Sequence, residues 1–218
     1  MLLLAMTKRK TTILFDFDGT LAETMMLIHT VFNRLASVYR YRHLPEDEIE
    51  KARHLNIREF IKYCGIPFWK VPIIAIHARR LMHSDIHEVH PPAGLVEVLT
   101  RIHNSGKYEM DILTSNRREN VLKFLSQHSM GWFDEVHATR AILSKKRRFE
   151  KYIRQSGLDP QNLYCVGDTS VDVEGARRAG AKVVAVSWGL NTHETLARCN
   201  PDHLVDHPSQ LLDIFPVD

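Results

Sequence analysis

The sequence predicts an α/β fold, a doubly wound parallel sheet with a smaller all-helical domain inserted after the first strand. Short apolar runs at residues 11–15, 110–113, 162–166 and 182–186 are separated by stretches of helical spacing, and strands that alternate with helices pair in parallel beneath helices on both faces. From about Glu23 to about Val89 there is no strand run, only amphipathic stretches. The residues just after Phe15, Leu113 and Val166 are polar, and in open parallel sheets ligands bind at these carboxyl ends. At 218 residues with 44% hydrophobic side chains, the chain can fill one sizeable core with a smaller module attached, which excludes a disordered or fibrous protein.

Each element has its own justification. Residues 11–15 form a compact apolar run that ends at Asp16-Phe17-Asp18-Gly19-Thr20. Helical stretches follow at 25–39, 47–55, 57–64 and 69–82, with breaks expected near Pro45, Gly65-Ile66-Pro67 and Pro72. His90-Pro91-Pro92-Ala93-Gly94 marks the return to the sheet, because a proline pair stops a helix and stiffens a linker. Residues 93–104 place Leu95, Val98, Leu99 and Ile102 on one helical face, with Ser105-Gly106 as the stop. The same logic gives helices at 117–128, 146–156 and 171–179, the last ending at Gly180, and DEVHAT at 134–139 is a candidate fifth strand. The domains are therefore expected at 1–22 with 90–218 and at 23–89. No internal repeat or low-complexity tract is present.

Composition narrows the partners. The net charge of +3, from 29 basic and 26 acidic residues, is too slight to argue for nucleic acid and is compatible with a small anionic substrate. Cys64, Cys165 and Cys199 are odd in number and lack a CxxC pair, as expected of thiols in a reducing cytoplasm. The apolar MLLLAM precedes Lys8-Arg9-Lys10, the reverse of a signal peptide; neither export signal nor membrane span is expected, and Met6 is an alternative start. A monomer or homodimer is expected.

The acids at the strand ends carry the chemistry. A carboxylate beside a buried run must be desolvated, which costs roughly several kcal/mol unless a cation or hydrogen bonds offset it. Asp16 is so placed, and Gly167-Asp168-Thr169-Ser170-Val171-Asp172 repeats the arrangement with acids four apart entering a helix. If the two strands are neighbours, Asp16 and Asp168 face one another across one small site, and hard oxygen ligands of this kind suit Mg²⁺. Thr114-Ser115-Asn116, taken alone, reads more readily as an ordinary polar loop than as a site.

In this order, DFDGT (16–20), LTSN (113–116), Lys145 and GDTSVD (167–172) resemble the four signature motifs of the haloacid dehalogenase-like hydrolase superfamily. AKVVAVSWG and NPDHLVD extend the likeness to its phosphoglycolate-phosphatase-like members. The resemblance implies a Rossmann-like core and a helical cap at 23–89. It makes Asp16 the nucleophile, forming an aspartyl-phosphate, and Asp18 the general acid and base. It assigns Mg²⁺ to the Asp16 carboxylate, the Asp18 backbone carbonyl and the Asp168 carboxylate, with Asp172 supporting the metal shell. Ser115 and Lys145 would grip the phosphoryl group, assisted by Asn116 or nearby amides. Lys146 is the alternative to Lys145, and the plain reading of Lys145-Lys146-Arg147-Arg148 is a solvated basic helix start; the lead-in at 142–144 resembles that of the family's lysine. Glu23 and Thr24 stand where many relatives have aspartate and serine.

The expected function is a Mg²⁺-dependent phosphatase for a small phosphorylated metabolite, phosphoglycolate-like or a sugar phosphate. A sugar-phosphate mutase and a pyrophosphatase are the enzyme alternatives. A hydrolytic dehalogenase needs neither Asp18 nor the GDTSVD acids, and a catalytically silent ligand-binding regulator would tolerate losses among acids that are all present. Thirteen histidines show no HExxH spacing. Trp69 and Trp188 are expected in the core, Trp188 with a possible place at the site's border, and Arg58 is a candidate substrate contact from the cap.

Overall fold

The computed structural model describes residues 10–82, 88–139 and 145–218. Strand β1 (Thr11–Phe15) leads into four helices, α1 (Met25–Tyr39), α2 (Ile49–Arg53), α3 (Ile57–Tyr63) and α4 (Val71–Leu81). Then come α5 (Leu95–Asn104), β2 (Tyr108–Thr114), α6 (Arg118–Gln127), β3 (Glu135–Ala138) and α7 (Lys145–Ser156). The chain closes with β4 (Leu163–Gly167), α8 (Ser170–Arg178), β5 (Lys182–Val186), α9 (His193–Ala197), β6 (His203–Val205) and α10 (Leu211–Ile214). The N-terminal apolar run with Lys8-Arg9 and the lead-in at 142–144 lie outside the described residues.

Six parallel strands form one sheet in the order β3-β2-β1-β4-β5-β6. The order turns back at β1, which pairs with β2 on one side and β4 on the other; at such a switch point the loops leaving adjacent strands diverge and open a crevice. Side chains alternate across the sheet. Ile13 and Phe15 join a core with Leu99 and Ile102 of α5 and Val121 and Phe124 of α6, while Leu14 joins one with Phe149 of α7 and Val173 and Ala176 of α8. Burial on both faces explains why β1 reads as a continuous apolar run.

A third cluster, including Val31, Leu35, Ile61, Cys64 and Ile74, belongs wholly to the segment between β1 and α5. Its α3 starts in a capping box, in which Asn56 Oδ1 accepts from the amides of Arg58 and Glu59 and the Asn56 amide donates to Glu59 Oε2.

Several expectations are corrected. Pro72 does not break a helix; it lies in the first turn of α4, where its missing N–H has no partner to lose. The stretch 47–55 divides into a 3₁₀ turn at Glu46–Glu48 and the short α2. Trp69 is 70% exposed rather than core. The three-residue β6, too short to show a period, extends the sheet beyond β5. No described helix is long and apolar enough to cross a membrane.

Candidate active site

The ladder between β1 and β4 continues one residue past β1, where the Asp16 amide donates to Val166 O at 2.9 Å. Asp16 Oδ1 accepts from the Phe17 amide at 2.9 Å. Phe17 is fully buried with its ring edge-on to Phe124, so the residue between the two acids anchors them to the core. The chain then turns sharply, with the amides of Leu21 and Ala22 donating to Phe17 O. Gly19 has φ +80°, and a Cβ there would overlap the Asp168 carboxylate. A Cβ on Gly189 would overlap Asp168 and the Gly19 carbonyl together. Asp168 thus fills a slot between two glycine backbones, its Oδ1 accepting from Thr20 Oγ1 at 3.1 Å and its Oδ2 from the Leu190 amide at 2.7 Å.

One oxygen from each of Asp16, Asp168 and Asp172 lies within 4.8 Å of the others. The Lys145 ammonium bridges Asp16 Oδ2 and Asp172 Oδ1. Lys146 instead pairs with Glu150 at 3.4 Å. Asp172 is also the reciprocal cap of α8, accepting from the amide and hydroxyl of Thr169. It is therefore the most committed of the three acids, tied to both Lys145 and its own helix.

The Asp18 carboxylate stands outside this group. It accepts from Asn116 Nδ2 at 3.0 and 3.2 Å, and Asn116 is itself fixed by Asn120 Nδ2 and the Arg117 amide, which both donate to its Oδ1. Asn116 is buried and its side-chain amide is engaged by Asp18, at the lining of the cavity. Ser115 lines that cavity with Asp16, Asp18 and Lys145.

Burial, reinforced by Asp16, pushes the Asp18 carboxyl up to about 7. Burial, reinforced by Asp172 and Asp16, pushes Asp168 up to about 8. Burial works against the Lys145 ammonium, but the carboxylates of Asp16 and Asp172 outweigh it and hold it above its ordinary value. Three carboxyl groups are buried side by side, each raising the cost of ionising the next, and the donors are all hard oxygens. The residues fit a small divalent cation, with Asp16 and Asp168 the less committed donors.

A cavity of about 1050 Å³ opens between these loops and the inserted helices, lined on the far side by Ile57, Arg58, Phe68 and Arg79 among others. A latch joins α2 to the loop after β5. Arg53 of α2 donates through Nε to Gly189 O (3.2 Å) and through Nη2 to Ser187 O (3.0 Å). In return Asn191 Nδ2 donates to the carbonyls of Arg53 and Leu55, and the Thr192 amide to Arg53 O. Trp188, expected near the site, packs on the core and donates Nε1 to Thr20 O at 3.1 Å. Sequence reasoning missed Thr20, Asn120, Gly189 and Arg53. The available signals were the place of Thr20 within DFDGT and the glycine after Trp188, in the loop that follows β5.

Fold and site define a Rossmann-like α/β protein with a carboxylate–lysine centre at the sheet's switch point. Residues 13–186 match the family model described as haloacid dehalogenase-like hydrolase, and the chain belongs to that family. It is 30% identical over 201 residues to a phosphoglycolate phosphatase of Synechococcus elongatus, covering 92% of this chain and 94% of that protein. It is 29% identical over 209 residues to the pyrophosphatase PpaX of Bacillus cereus, covering 94% and 95%. Among solved structures, a predicted phosphatase from Clostridium acetobutylicum superposes with a TM-score of 0.79 at 16% identity, covering 94% of this chain and 97% of that one. A haloacid dehalogenase-like hydrolase from Streptococcus pneumoniae gives 0.76 at 20% identity, covering 94% and 98%. The structural likenesses carry the fold.

Proposed function

We propose that the protein is a Mg²⁺-dependent phosphatase that hydrolyses a small phosphate ester through an aspartyl-phosphate on Asp16. The observation that supports this most is Lys145 held between Asp16 and Asp172 with Asp168 alongside. An Asp16 carboxylate oxygen forms a bond to phosphorus as the ester P–O bond breaks, and the departing oxygen takes the proton from Asp18. Asp18, now a carboxylate, accepts a proton from water, whose oxygen attacks phosphorus and frees Asp16 and inorganic phosphate. A carboxyl poised near neutrality suits both half-reactions. In this reading Asn116 orients Asp18, Ser115 and Lys145 bind phosphoryl oxygens, and Asp172 positions Lys145. Bound Mg²⁺, held by Asp16, Asp168 and the Asp18 carbonyl, would offset the repulsion between an anionic nucleophile and a phosphate dianion.

The same reading makes residues 23–89 a cap that closes over a core of 1–22 and 90–218, and places the protein in the cytoplasm. A phosphoglycolate-like substrate is favoured by the phosphoglycolate phosphatase relative, and pyrophosphate is the second reading because of the PpaX relative. Turnover should be measured with phosphoglycolate, sugar phosphates, pyrophosphate and p-nitrophenyl phosphate, with and without Mg²⁺. Asp16→Asn is expected to lose at least about a thousandfold in kcat; a variant that keeps its activity overturns the nucleophile assignment. Interconversion of sugar phosphates without phosphate release would indicate a mutase instead.

A further inference from the structure

We infer that Arg148 is a phosphate-binding residue of this site, a second cation that grips the oxygens of the substrate's phosphoryl group beside Ser115; this rests on the phosphatase reading. Arg148 follows Lys145 by three positions on α7, so the two side chains share a face of the helix, and both line the cavity that contains Asp16, Asp18 and Ser115. The basic run at the start of α7 has the sequence of a solvated helix end, yet Arg148 is only 5% exposed. Among the described residues its guanidinium makes one long hydrogen bond, Nη1 to Thr139 Oγ1 at 3.4 Å, its buried Nε has no partner, and no carboxylate pairs with it. A guanidinium carries five donors, so four are unfilled.

The Asp16 and Asp172 carboxylates act on this guanidinium without forming an ion pair with it, so its unfilled donors are costly to bury, and that cost falls if an anion enters the cavity. Thr139 fixes the location. Its amide donates to Thr114 O at 2.9 Å, at the carboxyl ends of β2 and β3 and next to Ser115. Lys145 already bridges two carboxylates, so Arg148 supplies the donors that an incoming phosphoryl group still needs. Its planar fork matches two phosphate oxygens as a lysine ammonium cannot. Of the other cations that line the cavity, Lys146 pairs with Glu150, Arg178 with Glu174, Arg79 donates to Asn116 O at 3.1 Å, and Arg58 and Arg147 are exposed, where water fills their donors at little cost.

The test uses the full chain and inorganic phosphate. Calorimetry on Arg148→Gln should show phosphate binding weakened about 10- to 100-fold, with KM for any ester the parent turns over raised in parallel. Arg148→Lys should recover part of the loss. Without phosphate, the thermal midpoint of Arg148→Gln, or of Arg148→Met should the first not fold, should equal or exceed the parent's, since a buried unpaired charge has gone. Arg178→Gln, which removes a paired and exposed charge, should alter phosphate affinity less than about twofold. Phosphate affinity unchanged in Arg148→Gln overturns the inference, as does a parent that binds no phosphate. A lowered midpoint with affinity intact marks Arg148 as merely structural and also overturns it. Phosphate binding that depends on Arg148 in a protein that hydrolyses no ester would uphold the inference and sink the phosphatase reading.

Discussion

Asp18 and Asp168 show how a single residue's chemistry is set by what surrounds it. Both are aspartates at strand ends, but Asp18 is held by an asparagine and Asp168 by Thr20 and the Leu190 amide. Without metal, the folded Asp168 binds its proton up to about pH 8, whereas in the unfolded chain the group titrates near its ordinary value of about 3.9. The folded state therefore holds more protons between those limits, and stability must fall as pH rises through that window. Chemical denaturation of the metal-free protein should show this fall between about pH 4 and 8, and Mg²⁺ should raise the thermal midpoint more at pH 8 than at pH 5, because it replaces the proton. An Mg²⁺ effect independent of pH would contradict this. The sequence made the two acid pairs readable because a carboxylate beside an apolar run is anomalous. It concealed the role of Asn116, since a polar residue in a polar loop carries no anomaly, and that of Arg148, since a basic helix start looks solvated.

Among the elements, those with many turns or a buried apolar run were legible. Helix α1 and strands β1 and β5 fall where spacing alone places them. Elements made by tertiary contact were not: α2 is five residues long and gains its position from the loop after β5. That loop also carries the Leu190 amide that holds Asp168, so the latch joins the inserted helices to the wall of the site. Arg53→Ala removes the two charge-assisted hydrogen bonds of the latch, together with an exposed pair to Glu50, and is expected to cost about 1–3 kcal/mol in urea unfolding. Weaker Mg²⁺ binding should accompany that loss, and unchanged stability would show that the latch contributes nothing.

For the molecule as a whole, the division of labour lies between strand-end loops that fix the chemistry and inserted helices that line the cavity's far side. Those helices have a hydrophobic cluster of their own, which lets their outer residues vary without disturbing the sheet. Phe68 lines the cavity although it is 68% exposed. Phe68→Ala is therefore expected to change KM severalfold between substrates of different size while shifting stability within about 0.5 kcal/mol. A turnover panel paired with thermal melts checks this; loss of stability with unchanged KM values would move Phe68 out of the binding surface. On the proposed reading, this far wall is also why the chain's motifs name a reaction class and no molecule: the side chains that would select a substrate have a spacing that is simply that of helix surfaces.

The slot around Asp168 makes backbone shape as stringent a requirement as acidity. Gly19 belongs to the chain's opening motif and Gly189 lies far along it, yet each occupies space that the other side of the carboxylate depends on. Gly189→Ala leaves every titratable group in place, but its methyl would have to displace both Asp168 and the Gly19 carbonyl. Mg²⁺ titration calorimetry is expected to show binding lost to a degree comparable with Asp168→Asn. Absent atoms at two distant glycines thus act as a single gauge, and one misplaced carbon would silence the site as fully as removal of an acid.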